Sequence, residues 1–383
     1  MRMHRKGLPA VESSAPDGGN RLLTILVGAA AAVITVAGLK AIAFLVAPVF
    51  LALVIVVTTS PVQGWLRRKG WPRWLTGAVL VVVVYAVLLG LFVVLVVSVA
   101  QLATLLPGYV AKADDMIVQV TAMLAQFGVG EEQLRDVAGS LDFGKIAGLA
   151  GTLLASVGGL LTDLVFLLAL LLFLSTEATW AEQRFAAISA EKPWITTGLR
   201  RFAAGTRSYM WVTTVFGLIV AVLDVGALVI IGVPAAVLWG LLAFVTNYIP
   251  NIGFVIGVVP PALLALLDGG WQTAVIVVVV YTALNFVVQS VIQPKFVADS
   301  VGLSTVVTVL ALVFWSWVLG PLGAILAVPA TLLLKAVFVD VDPRSRWVGA
   351  LINSPSVALA PAVEEHPVEE HPEDEPRGAQ DVS

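Results

Sequence analysis

Two carboxylates stand deep in apolar runs of this sequence, Asp163 between Leu149 and Leu174 and Asp224 between Tyr209 and Ile231. An acid at the centre of a membrane helix costs about 2.5 to 3.5 kcal/mol on insertion scales, so such a residue turns towards a cavity or a partner. Taken out of water, a carboxyl group holds its proton more readily, which fits it to exchange protons or to meet a cation. The plainer alternative is a protonated acid that hydrogen-bonds a neighbouring helix. Amides supply a second kind of chemistry. Tyr281, Asn285, Gln289 and Gln293 recur at every fourth position and form a slowly drifting polar stripe on one helix face. Such side chains glue helices together or line a permeation path, and four of them exceed what one helix contact requires. The stripe therefore reads as the lining of a cavity.

Beside these residues lie two look-alike interruptions. Thr246 leads into Asn247-Tyr248-Ile249-Pro250-Asn251-Ile252-Gly253, followed by Pro260-Pro261; further on comes Gly320-Pro321-Leu322-Gly323, followed by Pro329. Proline removes a helical hydrogen bond and glycine lowers helix propensity. Within a membrane the freed backbone groups are tolerated only where protein or a water-filled cavity satisfies them. Half-helix ends at such breaks turn their dipoles towards ions or polar solutes. The expected substrate or ion pathway thus comprises Asp163, Asp224, Thr246, Asn247, Pro250, Asn251 and Gly253, with the stripe from Tyr281 to Gln293, and with Gly320, Pro321 and Gly323.

Composition excludes much else. The 383 residues are 59% hydrophobic and 12% charged, with mean hydropathy +0.98, against about 45 to 50% apolar and about 25% charged in a soluble domain. An all-α polytopic membrane protein follows. Cysteine is absent, which removes disulfides, thiolate catalysis and Cys-based metal sites. His4, His366 and His371 all lie in the polar ends, so no histidine triad, HExxH zinc site or buried histidine relay fits the membrane body. No P-loop, dinucleotide-binding or nucleic-acid signature occurs. No catalytic residue, cofactor, metal site or nucleic-acid partner is expected, and the chain is not read as an enzyme.

About eight transmembrane segments must position these groups. A cytoplasmic tail covers residues 1–20, with Arg2, Arg5 and Lys6, and spans one to three cover 21–100 as Leu22 to Leu39, Ala41 to Thr59 and Leu75 to Ala100. Leu22 to Leu39 is longer than a signal-peptide core and reads as a retained span. The loop from Ser60 to Trp74 carries Arg67, Arg68, Lys69 and Arg73 without an acid, as cytoplasmic loops do. Residues 101–148 follow as an extracytoplasmic segment, with an amphipathic helix marked by apolar residues from Leu102 to Phe127 at helical spacing, then a shorter helix after Gly128 to Gly130. Its stripe packs on the protein's own membrane body or lies in the interface; the alternative is a contact between subunits. Residues 149–339 form the transport core, in which Val233 to Ile249, Ile252 to Leu267, Leu303 to Leu319 and Leu322 to Val339 are two short spans or one re-entrant hairpin at each break. Asp268-Gly269-Gly270 lies outside under either reading, so the two breaks are entered from opposite faces, as inverted repeats around a midplane site would be. From 340 to 383 a disordered acidic cytoplasmic tail follows, including the repeated Glu-Glu-His-Pro at 364–367 and 369–372.

Over about Ala235 to Lys335 the chain resembles the autoinducer-2 exporter family of bacterial transporters. The resemblance is carried by Leu238-Trp239-Gly240-Leu241-Leu242-Ala243-Phe244 leading into Asn247 to Gly253, by Gln293-Pro294-Lys295 with Val301-Gly302-Leu303-Ser304, and by Gly320 to Gly323 with Ala327-Val328-Pro329. The Pro-Asn-Ile-Gly form of the first break is similar to the quorum-signal transport branch. Where many relatives carry a proline or small polar residue after that glycine, this chain has Phe254. The resemblance implies a homo-oligomeric secondary transporter or facilitator in the bacterial inner membrane, both termini cytoplasmic, with the lipid bilayer and a small-molecule or ion substrate as partners. It implies export of a small polar solute such as autoinducer-2, or exchange of sodium or lithium with protons. An oligomeric channel or structural membrane protein is the reading from another class.

Overall fold

The computed structural model describes residues 18–126, 144–178, 180–250, 252–293 and 303–340. The N-terminal tail before residue 18, the shorter helix expected after Gly128, Asn251, Pro294 to Gly302 and the acidic tail beyond residue 340 lie outside them. Helices alone make up the elements among the described residues: α1 (Gly18–Ala41), α2 (Ala43–Arg68), α3 (Arg73–Gln126), α4 (Gly144–Ala178), α5 (Ala181–Glu191), α6 (Pro193–Ile231), α7 (Ala236–Thr246), α8 (Gly253–Asn285), α9 (Thr305–Leu319), α10 (Pro321–Ile325) and α11 (Ala327–Phe338). Six helical stretches are long and apolar enough to cross a membrane. Three others are short, and their 11, 15 and 12 residues give about 16, 22 and 18 Å of helix against a hydrocarbon core of about 30 Å.

α3 departs from expectation. A third span followed by a separate amphipathic helix is replaced by one continuous helix of 54 residues. Pro107, Gly108 and the charged run Lys112 to Asp115 are all carried inside without ending the helix. At about 81 Å the helix projects far beyond a bilayer. Leu102 and Tyr109, on the extension, are buried in one cluster with Leu264, Ala265 and Val277 of α8, so the start of the amphipathic stripe packs on the protein's own body.

α6 is the central column. Phe202, Thr206, Met210, Thr213, Gly217, Val220, Asp224 and Leu228 are all buried and recur at intervals of three or four residues, which places them on one face. Against that face pack α2, α7, α8 and α11. Pro193 starts α6 at a position where a missing N–H costs nothing, and Gly232 ends it in the left-handed conformation with its N–H on Leu228 O at 2.9 Å.

α8 is two arms. Gly270, at φ 76° and ψ −176°, divides it into 253–269 and 271–285. Gly257 stands 13 residues before Gly270 and Asn285 15 after it, about 20 and 22 Å along each arm, yet both line one cavity. The arms therefore double back on each other, with Asp268-Gly269-Gly270 at the apex.

Both breaks are helical hairpins closed by a glycine that lets a backbone carbonyl come close. A Cβ at Gly253 would stand 1.8 Å from Thr246 O, and one at Gly323 2.0 Å from Trp315 O. Beyond the first turn, Gly257 returns to face Ala243; beyond the second, Thr331 Oγ1 accepts the Trp315 indole N–H at 3.1 Å. The hairpins touch. Tyr248 of the first and Leu322 and Leu326 of the second share a cluster with Val54 and Met210.

Candidate functional site

The break, α6 and the second arm of α8 meet around a cavity. α6 supplies Asp224, α7 supplies Ala243 and Thr246, and the turn supplies Asn247. Gly253, Phe254 and Gly257 come from the first arm of α8; Tyr281, Asn285 and Gln289 come from the second arm and its continuation. The room open to the centre of a water-sized sphere is about 10 Å³, enough for about one water.

Three amides tie the walls together. Asn247 donates through Nδ2 to Thr213 O of α6 at 2.9 Å and accepts at Oδ1 from Gln289 Nε2 at 3.0 Å. Gln289 Nε2 also donates to Asn285 Oδ1 at 2.7 Å, and Asn285 Nδ2 donates to Tyr281 O at 2.9 Å. One ladder thus links α6, the break and α8. Gln289 sits in a π-helical turn, Phe286–Ile292, in which Gln293 N–H reaches back five residues to Val288 O at 2.8 Å. Such wide turns insert an extra residue and recur at functional sites; here one follows Asn285 at the end of the stripe.

Thr246 Oγ1 donates to Ala243 O at 3.3 Å, but two cavity groups are unpartnered. Asp224 is fully buried, neither of its carboxylate oxygens has a hydrogen-bond partner, and the Tyr281 hydroxyl, also buried, has none. No cationic side chain lines the cavity. Burying an unpaired carboxylate costs several kcal/mol, so the geometry favours a guest that brings hydrogen-bond donors or positive charge to Asp224. Among the described residues no cluster of His, Asp or Glu could hold a metal ion.

Of the residues read from sequence, Asp224, Thr246, Asn247, Gly253, Tyr281, Asn285 and Gln289 meet at this cavity. Asp163 does not; it is exposed on α4. Gln293 is half-buried one turn beyond the cavity, and Pro250 is half-buried in the turn without lining it. Gly320, Pro321 and Gly323 build the second hairpin and do not line the cavity; its Leu322 and Leu326 share hydrophobic clusters with Tyr248 and Ile249 of the turn. Sequence reading missed Ala243, Phe254 and Gly257 as walls and Thr213 as an acceptor. It also missed the lock on the turn, where the Tyr248 hydroxyl shares a hydrogen bond with Thr214 Oγ1 at 2.6 Å and Tyr209 OH donates to Tyr248 O at 3.1 Å.

Comparison with known proteins gives the family. Residues 26–341 match the model of a family described as AI-2E family transporter. A Haemophilus influenzae protein is 29% identical over 315 residues, covering 81% of this chain and 90% of its own length. Escherichia coli YhhT is 29% identical over 328 residues, covering 85% and 92%. TqsA of Escherichia coli, named as an AI-2 transport protein, is 28% identical over 303 residues, covering 79% and 88%.

Proposed function

The chain belongs to the AI-2E family of transporters, and from that premise we propose that it exports a small polar solute through the cavity between α6, the first break and the arms of α8. The observation that carries this reading is the buried polar cavity itself. In a bundle whose helices are apolar nearly all round, Asp224, Tyr281, Asn285 and the Asn247–Gln289 contact converge on one point, and polar groups are retained at such depth where a solute must be met. The chain works in the inner membrane with the Arg67–Arg73 loop on the cytoplasmic side, which leaves the Asp268 apex outside. AI-2 is the cargo to test first, because a relative carries it in its name and a hydroxyl-rich solute offers the donors that Asp224 lacks.

Exchange of a monovalent cation with protons is the second reading, favoured by the size of the cavity. Room for one water admits a bare cation beside Asp224 as it stands, whereas a solute of several heavy atoms enters only after the arms part. Flux measured in proteoliposomes with AI-2, sodium, lithium and protons separates the two. Saturable AI-2 movement supports the first reading, and cation-coupled proton movement without it supports the second. Passive conductance alone would overturn both in favour of a channel.

A further inference from the structure

The cavity has room for about one water, so a larger solute needs its walls to part, and the apex of α8 shows what holds one of them. Asp268 lies two residues before Gly270, whose φ of 76° suits glycine and few other residues. Its carboxylate Oδ1 accepts a short hydrogen bond from the Lys112 ammonium of the α3 extension. That extension is anchored beside the arm, since Leu102 and Tyr109 are buried against Leu264 and Ala265. The Lys112 ammonium also stands 5.2 Å from the centre of the Tyr109 ring. The hydrogen bond to Asp268 holds the Lys112 ammonium above the ordinary lysine value.

Resting on the cavity as the transport site and on the orientation given above, we propose that Lys112 and Asp268 form a latch that pins the first arm of α8 to the α3 extension and keeps the cavity closed on the outer side. The arm carries Gly253, Phe254 and Gly257 at the cavity and Asp268 at its far end. An outward tilt of the arm about its Gly253 end, with Gly270 absorbing the change of angle between the arms, opens the outer approach to the cavity and carries Asp268 away from Lys112, and the latch opposes it. Both partners are partly exposed, with side-chain accessibilities of 49% and 37%. The latch is therefore weak and sensitive to salt, as a gate that must open in each cycle requires.

The natural absence of cysteine makes the test direct. Ala243→Cys places one thiol in the cavity wall, and a membrane-impermeant sulfonated maleimide is added to either side of sealed proteoliposomes of defined orientation. Outer-side labelling is expected to rise about two- to fivefold in Lys112→Gln and in Asp268→Asn, to rise likewise at high salt in the unchanged pair, and to return to the slow rate in the charge swap Lys112→Asp with Asp268→Lys. Equal labelling in all of these overturns the latch, as does a swap as fast as the single variants. A rise confined to inner-side probe overturns its position while leaving the flux result, and hence the transporter reading, intact. Amide hydrogen exchange on the same samples guards against misfolding. Loss of protection confined to 253–269 supports the latch, and equal loss in 43–68 overturns it.

Discussion

Gln289 and Asn247 stand 42 positions apart in the chain, and the Gln289 amide nitrogen reaches Asn247 Oδ1 at 3.0 Å. Because the same nitrogen also serves Asn285 Oδ1, one side chain decides whether the break and the second arm of α8 hold a common geometry.

Gln289→Leu removes the donor from both acceptors. Interhelical hydrogen bonds in membrane proteins average about 0.6 kcal/mol, so thermal unfolding in detergent should shift by only a few degrees. Flux should suffer more, falling about tenfold or further, since about 1.4 kcal/mol of lost substrate alignment is a factor of ten. Normal flux in this variant removes the ladder from the transport mechanism.

The two intramembrane acids should separate cleanly. Asp224→Asn keeps the shape and loses the charge at the cavity, so transport should fall at least about tenfold if the carboxyl meets the cargo. Asp163→Asn changes an exposed position on α4 and should leave flux within about twofold, as surface substitutions do. Parallel flux assays on the two variants check this directly.

Glycine substitutions test the hairpins. Gly253→Ala and Gly323→Ala put a methyl 1.8 and 2.0 Å from a carbonyl oxygen, and the forced backbone shift should cost about 1 to 3 kcal/mol or more. Gly90→Ala, in α3 with nothing within 4 Å, should be neutral or stabilising by up to about 1 kcal/mol. Thermal unfolding ranks the three.

Contact between the hairpins is open to a double-mutant cycle. Tyr248 and Leu326 share a cluster, so Tyr248→Ala and Leu326→Ala should be non-additive by about 0.5 to 3 kcal/mol. Tyr248→Phe, which removes only the hydroxyl shared with Thr214, should cost about 0.5 to 1.5 kcal/mol. Additive effects would mean that the breaks stand energetically apart.

Much of this was legible beforehand where the cause is local. Proline and glycine act on their own turn, so Asn247 to Gly253 and Gly320 to Gly323 announced breaks. The four-residue spacing of Tyr281, Asn285 and Gln289 announced a shared face. Gln293 lies one turn beyond the cavity, past the π-helical turn after Asn285, whose extra residue no spacing rule foresees. The helix runs on past Ala100, since hydropathy marks where a membrane ends and a helix does not have to end with it.

By itself the sequence determined an all-helical membrane bundle, the places where its helices break and the polar residues available for a site, since backbone hydrogen bonding and hydrophobic period are properties of short stretches. Which of those residues meet was decided only in the tertiary structure. A helix apolar all round has no preferred face of its own, so nothing local could say that Asp224 would turn into the bundle and Asp163 out of it. Packing of α7 and α8 on α6 turned Asp224 inward and brought it to one cavity with Asn247 and Gln289, while packing of α4 on α2 and α3 left Asp163 outside.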